Sequence, residues 1–104
     1  DAVVCANDEV ALGLLTAARE RGLRVPEDLA ITGWDDVMAA RFAGLTTVRQ
    51  PLRELGATAA QRLHERFTEP EHDRTPARHE ILPTRLVVRD TCGSHTLPST
   101  PAAR

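Results

Sequence analysis

Leu29-Ala30-Ile31-Thr32-Gly33-Trp34-Asp35-Asp36 runs from an apolar segment straight into two carboxylates. The first five residues have the aliphatic character of a buried strand, so the acids fall where that strand should end. In open α/β sheets, small ligands bind in the crevice outside the carboxyl ends of the strands. A second apolar run, Ala2-Val3-Val4-Cys5-Ala6, ends in the same way on Asn7-Asp8. Two strands that deliver polar side chains at equivalent ends predict half of a polar-ligand site.

Between the two runs the spacing predicts a helix. Asn7 and Asp8 are both good N-caps, and Glu9 suits the positive end of the helix dipole. Val10, Leu14, Ala17 and Ala18 follow helical periodicity, and Ala11 and Leu15 widen that stripe. Arg19 and Arg21 suit the opposite end, and Gly22 is a natural residue just past the last turn. Pro26 blocks any continuation. Strand, helix and strand over about 30 residues make a βαβ unit, for which a right-handed crossover is expected.

Beyond Asp36, Val37 to Ala43 reads as a short helix closed by Gly44, and Leu45-Thr46-Thr47-Val48 as a short β-prone run. Pro51 suits the start of a further helix. There Leu52, Leu55, Ala59, Leu63 and Phe67 form an apolar stripe. Residues 69–80 are polar, with Pro70 and Pro76, and read as a loop. Residues 81–90 read as a returning strand, with Pro83 placing its first part at an edge or bulge. Residues 91–104 read as a disordered tail.

The 104 residues are enough for one small domain, and 41% hydrophobic content allows a core. Aromatic content of 3% makes that core aliphatic. The formal net charge of −2, from 13 basic and 15 acidic residues, advertises no phosphate-binding surface. No apolar stretch approaches the roughly 20 residues of a membrane span, and no signal peptide is evident, so a cytoplasmic location without a membrane partner is expected. The chain opens on Asp1 rather than Met and enters an apolar strand at once, which points to neighbouring segments outside it.

Each polar residue has a plain structural reading beside the functional one. Asn7 and Asp8 can simply cap the helix, or one can cap while the other faces the crevice. An Asn amide donates and accepts, as a sugar hydroxyl requires. Adjacent acids such as Asp35 and Asp36 rarely address one scissile bond, so a glycosidase pair is disfavoured. An ionised carboxylate accepting from two hydroxyls gains about 1.5–3 kcal/mol per bond. We therefore assign Asp35 to a ligand and Asp36 to a cap or structural role. Trp34 is expected in the core, with stacking on a ligand as the lesser reading, and Cys5 as an inert buried thiol. His64, His72, His79 and His95 form no metal pattern, and Cys92 with His95 lacks partner ligands, so neither metal nor cofactor is expected. No phosphate-binding glycine loop or nucleophile elbow occurs.

The order of these pieces resembles the C-terminal part of a LacI/GalR-family transcriptional repressor. The matching segments are Cys5 to Gly13, Gly22 to Asp28, Ile31 to Asp36, Leu45 to Pro51 and Leu82 to Arg89. The resemblance implies an α/β fold, a partial doubly wound parallel sheet forming the C-terminal lobe of a periplasmic-binding-protein-like domain. It implies a C-terminal effector-binding lobe over residues 1–49, with the hinge and a helix of the N-terminal lobe over 50–68. Asn7 and Asp35 would contact a small-molecule effector, commonly a sugar or a purine, with a sugar expected here. Gln50 would lie where the chain crosses between lobes. Leu12 and Phe42 would belong to a homodimer surface. The family's helix-turn-helix lies outside this chain, so DNA would be bound only through that absent segment. The stretch between Asp36 and Leu45 is shorter than the family's and lacks its usual prolines. Two rival readings are a sugar solute-binding protein of the same fold and a small α/β enzyme using Asp35 or Asp36 as acid or base.

Overall fold

Strand β1 (Ala2–Val4) pairs in parallel with β2 (Ala30–Thr32), in the register Ala2–Ala30, Val3–Ile31 and Val4–Thr32. Helix α1 (Asp8–Glu20) connects them, completing the βαβ unit. These elements belong to a computed structural model that describes residues 1–70, 76 and 79–93. Both strands are shorter than their apolar runs, although Cys5 and Gly33 still donate through their backbones to Thr32 and Thr46.

Helix α1 begins where its capping chemistry dictates. The Asn7 Oδ1 accepts from the Val10 N–H at 2.9 Å, satisfying one of the first-turn donors. At the other end Gly22, with φ +74°, donates to the Arg19 carbonyl, and Leu23 donates to that of Ala18. This is a Schellman closure, which needs a left-handed residue and so favours glycine. The buried face carries Asp8, Ala11, Leu15 and Ala18. That stripe is rotated from the expected one: Val10 is exposed, while Ala11 and Leu15 form its centre. Past α1, Asp28 closes the connection by accepting from the Arg24 backbone and guanidinium, and this pairing lowers its pKa to about 2.

Helix α2 (Met38–Ala43) ends on Gly44 in the left-handed conformation. Strand β3 (Thr47–Arg49) follows and pairs antiparallel with β4 (Arg85–Val87). Parallel bridges of Thr32 with Thr46 and Asp35 with Arg49 join the two strand pairs. The α/β class therefore holds, but the sheet is mixed rather than wholly parallel, because β4 runs against β3. Doubly wound sheets commonly carry such an antiparallel strand. The expected strand over residues 81–90 is regular only over Arg85–Val87.

The core gathers Cys5, Ala11, Leu15, Ile31, Ala40 and Leu45, with Leu12, Val25 and Leu29 among the side chains packed around it. Full burial of Leu15, Ile31 and Leu45 contributes roughly 1.5–3 kcal/mol each. The expectation of a disordered tail from residue 91 fails at its start. Asp90–Cys92 forms a 3-10 turn, and the buried Thr91 hydroxyl donates to the Ile31 carbonyl and accepts from the Thr46 N–H. Residues 94–104, with His95, lie outside the described residues, as does His72.

The described residues divide into two compact units, one of those within Asp1–Arg49 and 85–93, the other of those within Gln50–Thr84. Helix α3 (Leu52–Thr68) dominates the second and buries none of its residues. Its apolar stripe borders a hollow of about 680 Å³ lined by Leu55, Ala59, Leu63 and Leu82. None of the residues assigned from sequence to a ligand lines that hollow. No helix among the described residues is long and apolar enough to cross a membrane.

Candidate functional site

The carboxyl ends of β1 and β2 lie side by side. Cys5 donates to the Thr32 carbonyl, and Asp8 donates through its backbone to the Trp34 carbonyl, both at 2.9 Å. This lacing brings the segment Asn7-Asp8 against Gly33–Val37. Asn7 is half-buried and sits at the head of α1. Its Oδ1 is committed to the cap, whereas its Nδ2 has no hydrogen-bond partner among the described residues.

Asp8 turns the other way. It is wholly buried, its Oδ2 accepting from the Val37 N–H at 2.9 Å and its Oδ1 from the Thr47 hydroxyl at 2.5 Å. The space above Gly33 is filled by that carboxylate, so a side chain there would collide with Asp8. The pattern of acids alone gave Asp8 no inward role. Its position could have: residues 8, 11, 15 and 18 form one helical face, and that is the face α1 buries.

Asp35 and Asp36 both have positive φ, +113° and +58°. Non-glycine residues occupy such conformations rarely and at a cost of about 1–3 kcal/mol each, and they persist only where surrounding contacts dictate them. Asp35 is half-buried and donates through its backbone to the Val48 carbonyl. The Asp36 side chain is fully buried. Arg49 Nε reaches its Oδ2 at 2.5 Å, Arg89 Nη2 its Oδ1 at 2.6 Å, and Arg41 approaches to 3.8 Å. Burial alone would raise the Asp36 pKa, but the hydrogen bonds from Arg89 and Arg49 outweigh it and hold the pKa below the ordinary value. Asp36 is thus structural without being a cap, since no side chain caps α2. Arg49 and Arg89 escaped sequence reading because their partner lies 13 and 53 residues away.

Trp34 departs from expectation. It is 39% exposed rather than packed in the core, because it lies between the strand end and the strained turn. Cys5 is buried, and burial raises its thiol pKa. Gln50 opens the second unit, and Pro51 follows it at the start of α3. Leu12 is half-buried against the core, whereas Phe42 is 86% exposed. Among the described residues no three His, Cys, Asp or Glu gather as a metal site requires.

The family profile described as periplasmic binding protein-like domain matches residues 1–92. The chain is 48% identical over 95 residues to the HTH-type transcriptional repressor PurR of Pasteurella multocida (strain Pm70), a match spanning 89% of this chain and 28% of that protein. It is 44% identical over 92 residues to PurR of Vibrio vulnificus (strain CMCP6), covering 86% and 27% respectively. Among solved structures it superposes on a LacI-family regulator from Sanguibacter keddieii DSM 10542 with a TM-score of 0.80 at 37% identity, covering 89% of this chain and 35% of that one. A LacI-family regulator from Enterococcus faecium with bound ribose gives a TM-score of 0.74 at 36% identity, covering 88% and 34%. The chain thus spans roughly a quarter of the length of the curated repressors it matches.

Proposed function

The chain belongs to the periplasmic binding protein-like domain family, within the effector-domain region of LacI-family transcriptional regulators, and we propose that it supplies one wall of a small-molecule effector site. The observation that carries this reading is the meeting of two strand ends, where the Asn7 Nδ2, without a hydrogen-bond partner among the described residues, lies on the segment laced to the turn that bears Asp35. Such a pair offers donors and a charged acceptor, the chemistry of vicinal hydroxyls. Ribose in the Enterococcus faecium neighbour makes a sugar the first ligand to test. Gln50, the first residue of the second unit, is a third proposed contact on the family resemblance alone.

In the intact regulator, effector occupancy would bias a two-state equilibrium that sets DNA affinity. That coupling requires the effector to bind the two states unequally. No step of this role calls for a catalytic residue, and the relatives are repressors rather than enzymes.

Calorimetric titration with ribose and other pentoses and hexoses tests the reading. Asp35→Ala should weaken binding by at least tenfold, about 1.4 kcal/mol, while the fold is retained. With the titrations made on the intact regulator that carries this chain, unchanged affinity removes Asp35 from the site, and a folded regulator that binds none of these sugars overturns the sugar assignment.

A homodimer surface is proposed on α2. Phe42 is 86% exposed, and Met38, one turn earlier, is exposed beside it. Leu12 adds little there because it packs against the core. Sedimentation of Phe42→Glu should show a weakened dimer; an unaltered association constant excludes this face.

A further inference from the structure

Asn7 and Asp8 are adjacent in sequence but opposite in direction, and the inward member holds the turn that carries Asp35. We propose that Asp8 is a positioning residue for the effector contact, an inference that rests on the reading of Asp35 as that contact. The turn consists of Asp35 and Asp36, the described non-glycine residues with positive φ. Trp34 and Val37 flank it on either side. Asp8 grips both flanks, its backbone N–H donating to the Trp34 carbonyl at 2.9 Å and its Oδ2 accepting from the Val37 N–H at 2.9 Å.

The same carboxylate fixes the turn against the neighbouring strand. Its Oδ1 accepts from the Thr47 hydroxyl at 2.5 Å, and the next residue, Val48, accepts from the Asp35 N–H at 2.9 Å. Asp8 therefore sets three of the boundaries within which Asp35 must fit. An acid serving only the helix dipole would do so at the surface. Asp8 is instead wholly buried and bonded to residues 29 and 39 positions away. Burial also keeps it from touching a ligand, so its effect passes through Asp35. Gly33 belongs to the same device: a Cβ there would strike the Asp8 carboxylate, so the turn packs directly on it.

Trp34 is the sole tryptophan of the chain and lies within this bracket, so it reports on the turn without any ligand. The test compares Asp8→Ala, Asp8→Asn and Thr47→Val, reading Trp34 in this chain and ribose affinity in the intact regulator that carries it. Asn can still accept from the Val37 N–H and can donate to the Thr47 oxygen, so Asp8→Asn should restore what Asp8→Ala removes. With the fold checked by circular dichroism, Asp8→Ala should red-shift Trp34 emission and increase its quenching by acrylamide. Thr47→Val should do so more weakly, and Asp8→Asn should stay near the parent. Ribose affinity should fall in the same order, by roughly tenfold for Asp8→Ala. Trp34 emission unchanged in folded Asp8→Ala overturns the proposal. If Asp8→Ala does not fold, parent-like Trp34 quenching in Thr47→Val, or Asp8→Asn behaving as badly as a folded loss of contact, overturns it instead. Asp35→Ala should lose ribose while keeping the parent's response of Trp34 to Asp8→Ala. Ribose binding untouched by Asp35→Ala refutes the effector reading and leaves the bracket standing.

Discussion

Asp36 and Arg89 meet at 2.6 Å across 53 residues of chain, with the carboxylate fully buried and the Arg89 side chain 16% exposed. Arg89 also donates to the Leu45 carbonyl, and its backbone N–H to the Thr46 hydroxyl. One carboxylate thereby ties the strained turn after β2 to the strand ends of β3 and β4. Buried ion pairs contribute little over well-packed apolar groups, yet removing one partner strands the other.

Replacing Asp36 should therefore destabilise sharply. Asp36→Ala leaves Arg89 and Arg49 without their carboxylate, a loss that typically costs about 3–5 kcal/mol for a buried pair. The lower end applies because the Arg49 side chain is 35% exposed and can recover some hydration. Urea unfolding of the full chain measures this; a loss within the surface range of about 0.5 kcal/mol contradicts the geometry.

The same carboxylate sets a pH dependence. Its pKa in the folded state lies below the ordinary 3.8, so the unfolded chain binds the proton more readily. The stability it contributes is present above about pH 4 and is lost as pH falls through the folded value. Melting temperature should drop steeply in that acid range, and Asp36→Asn should flatten the drop. Asp28, lowered to about 2 by Arg24, titrates in the same direction, so Asp28→Asn is the control. An acid limb unaltered in Asp36→Asn but lost in Asp28→Asn assigns the dependence to the loop.

Thr91 should matter more than its place near the C-terminus suggests. Thr91→Val keeps the shape but removes the hydroxyl that accepts from the Thr46 N–H and donates to the Ile31 carbonyl. A buried group left unsatisfied costs about 1–3 kcal/mol. Amide exchange at Thr46 should accelerate accordingly, and protection equal to the parent's rules the anchor out.

The βαβ unit was legible because local signals agree. Apolar runs, the Asn7 cap and the Gly22 closure all act within a few residues. The inward role of Asp8 was hidden because its partners, Val37 and Thr47, are close only after the sheet forms. Arg89 and Thr91 escaped for the same reason. The direction of β4 was illegible too, since an apolar run carries no sign of parallel or antiparallel pairing. Trp34 was misplaced because apolarity after a strand reads as core, whereas the Asp35-Asp36 turn lifts it to the surface.

Asn7 allows capping and binding to be separated by chemistry. Its Oδ1 caps α1, and its Nδ2 is the group proposed to face the effector. Asp is as good an N-cap as Asn but has no amide donor, so Asn7→Asp should keep the helix and lose the ligand contact. Asn7→Ala should lose both, with about 1 kcal/mol of stability forfeited at the cap. Paired melting curves and ribose titrations distinguish the two. Parent-like stability with roughly tenfold weaker binding in Asn7→Asp is expected. Full affinity in Asn7→Asp would confine Asn7 to its capping role and leave the β1 end without a ligand contact.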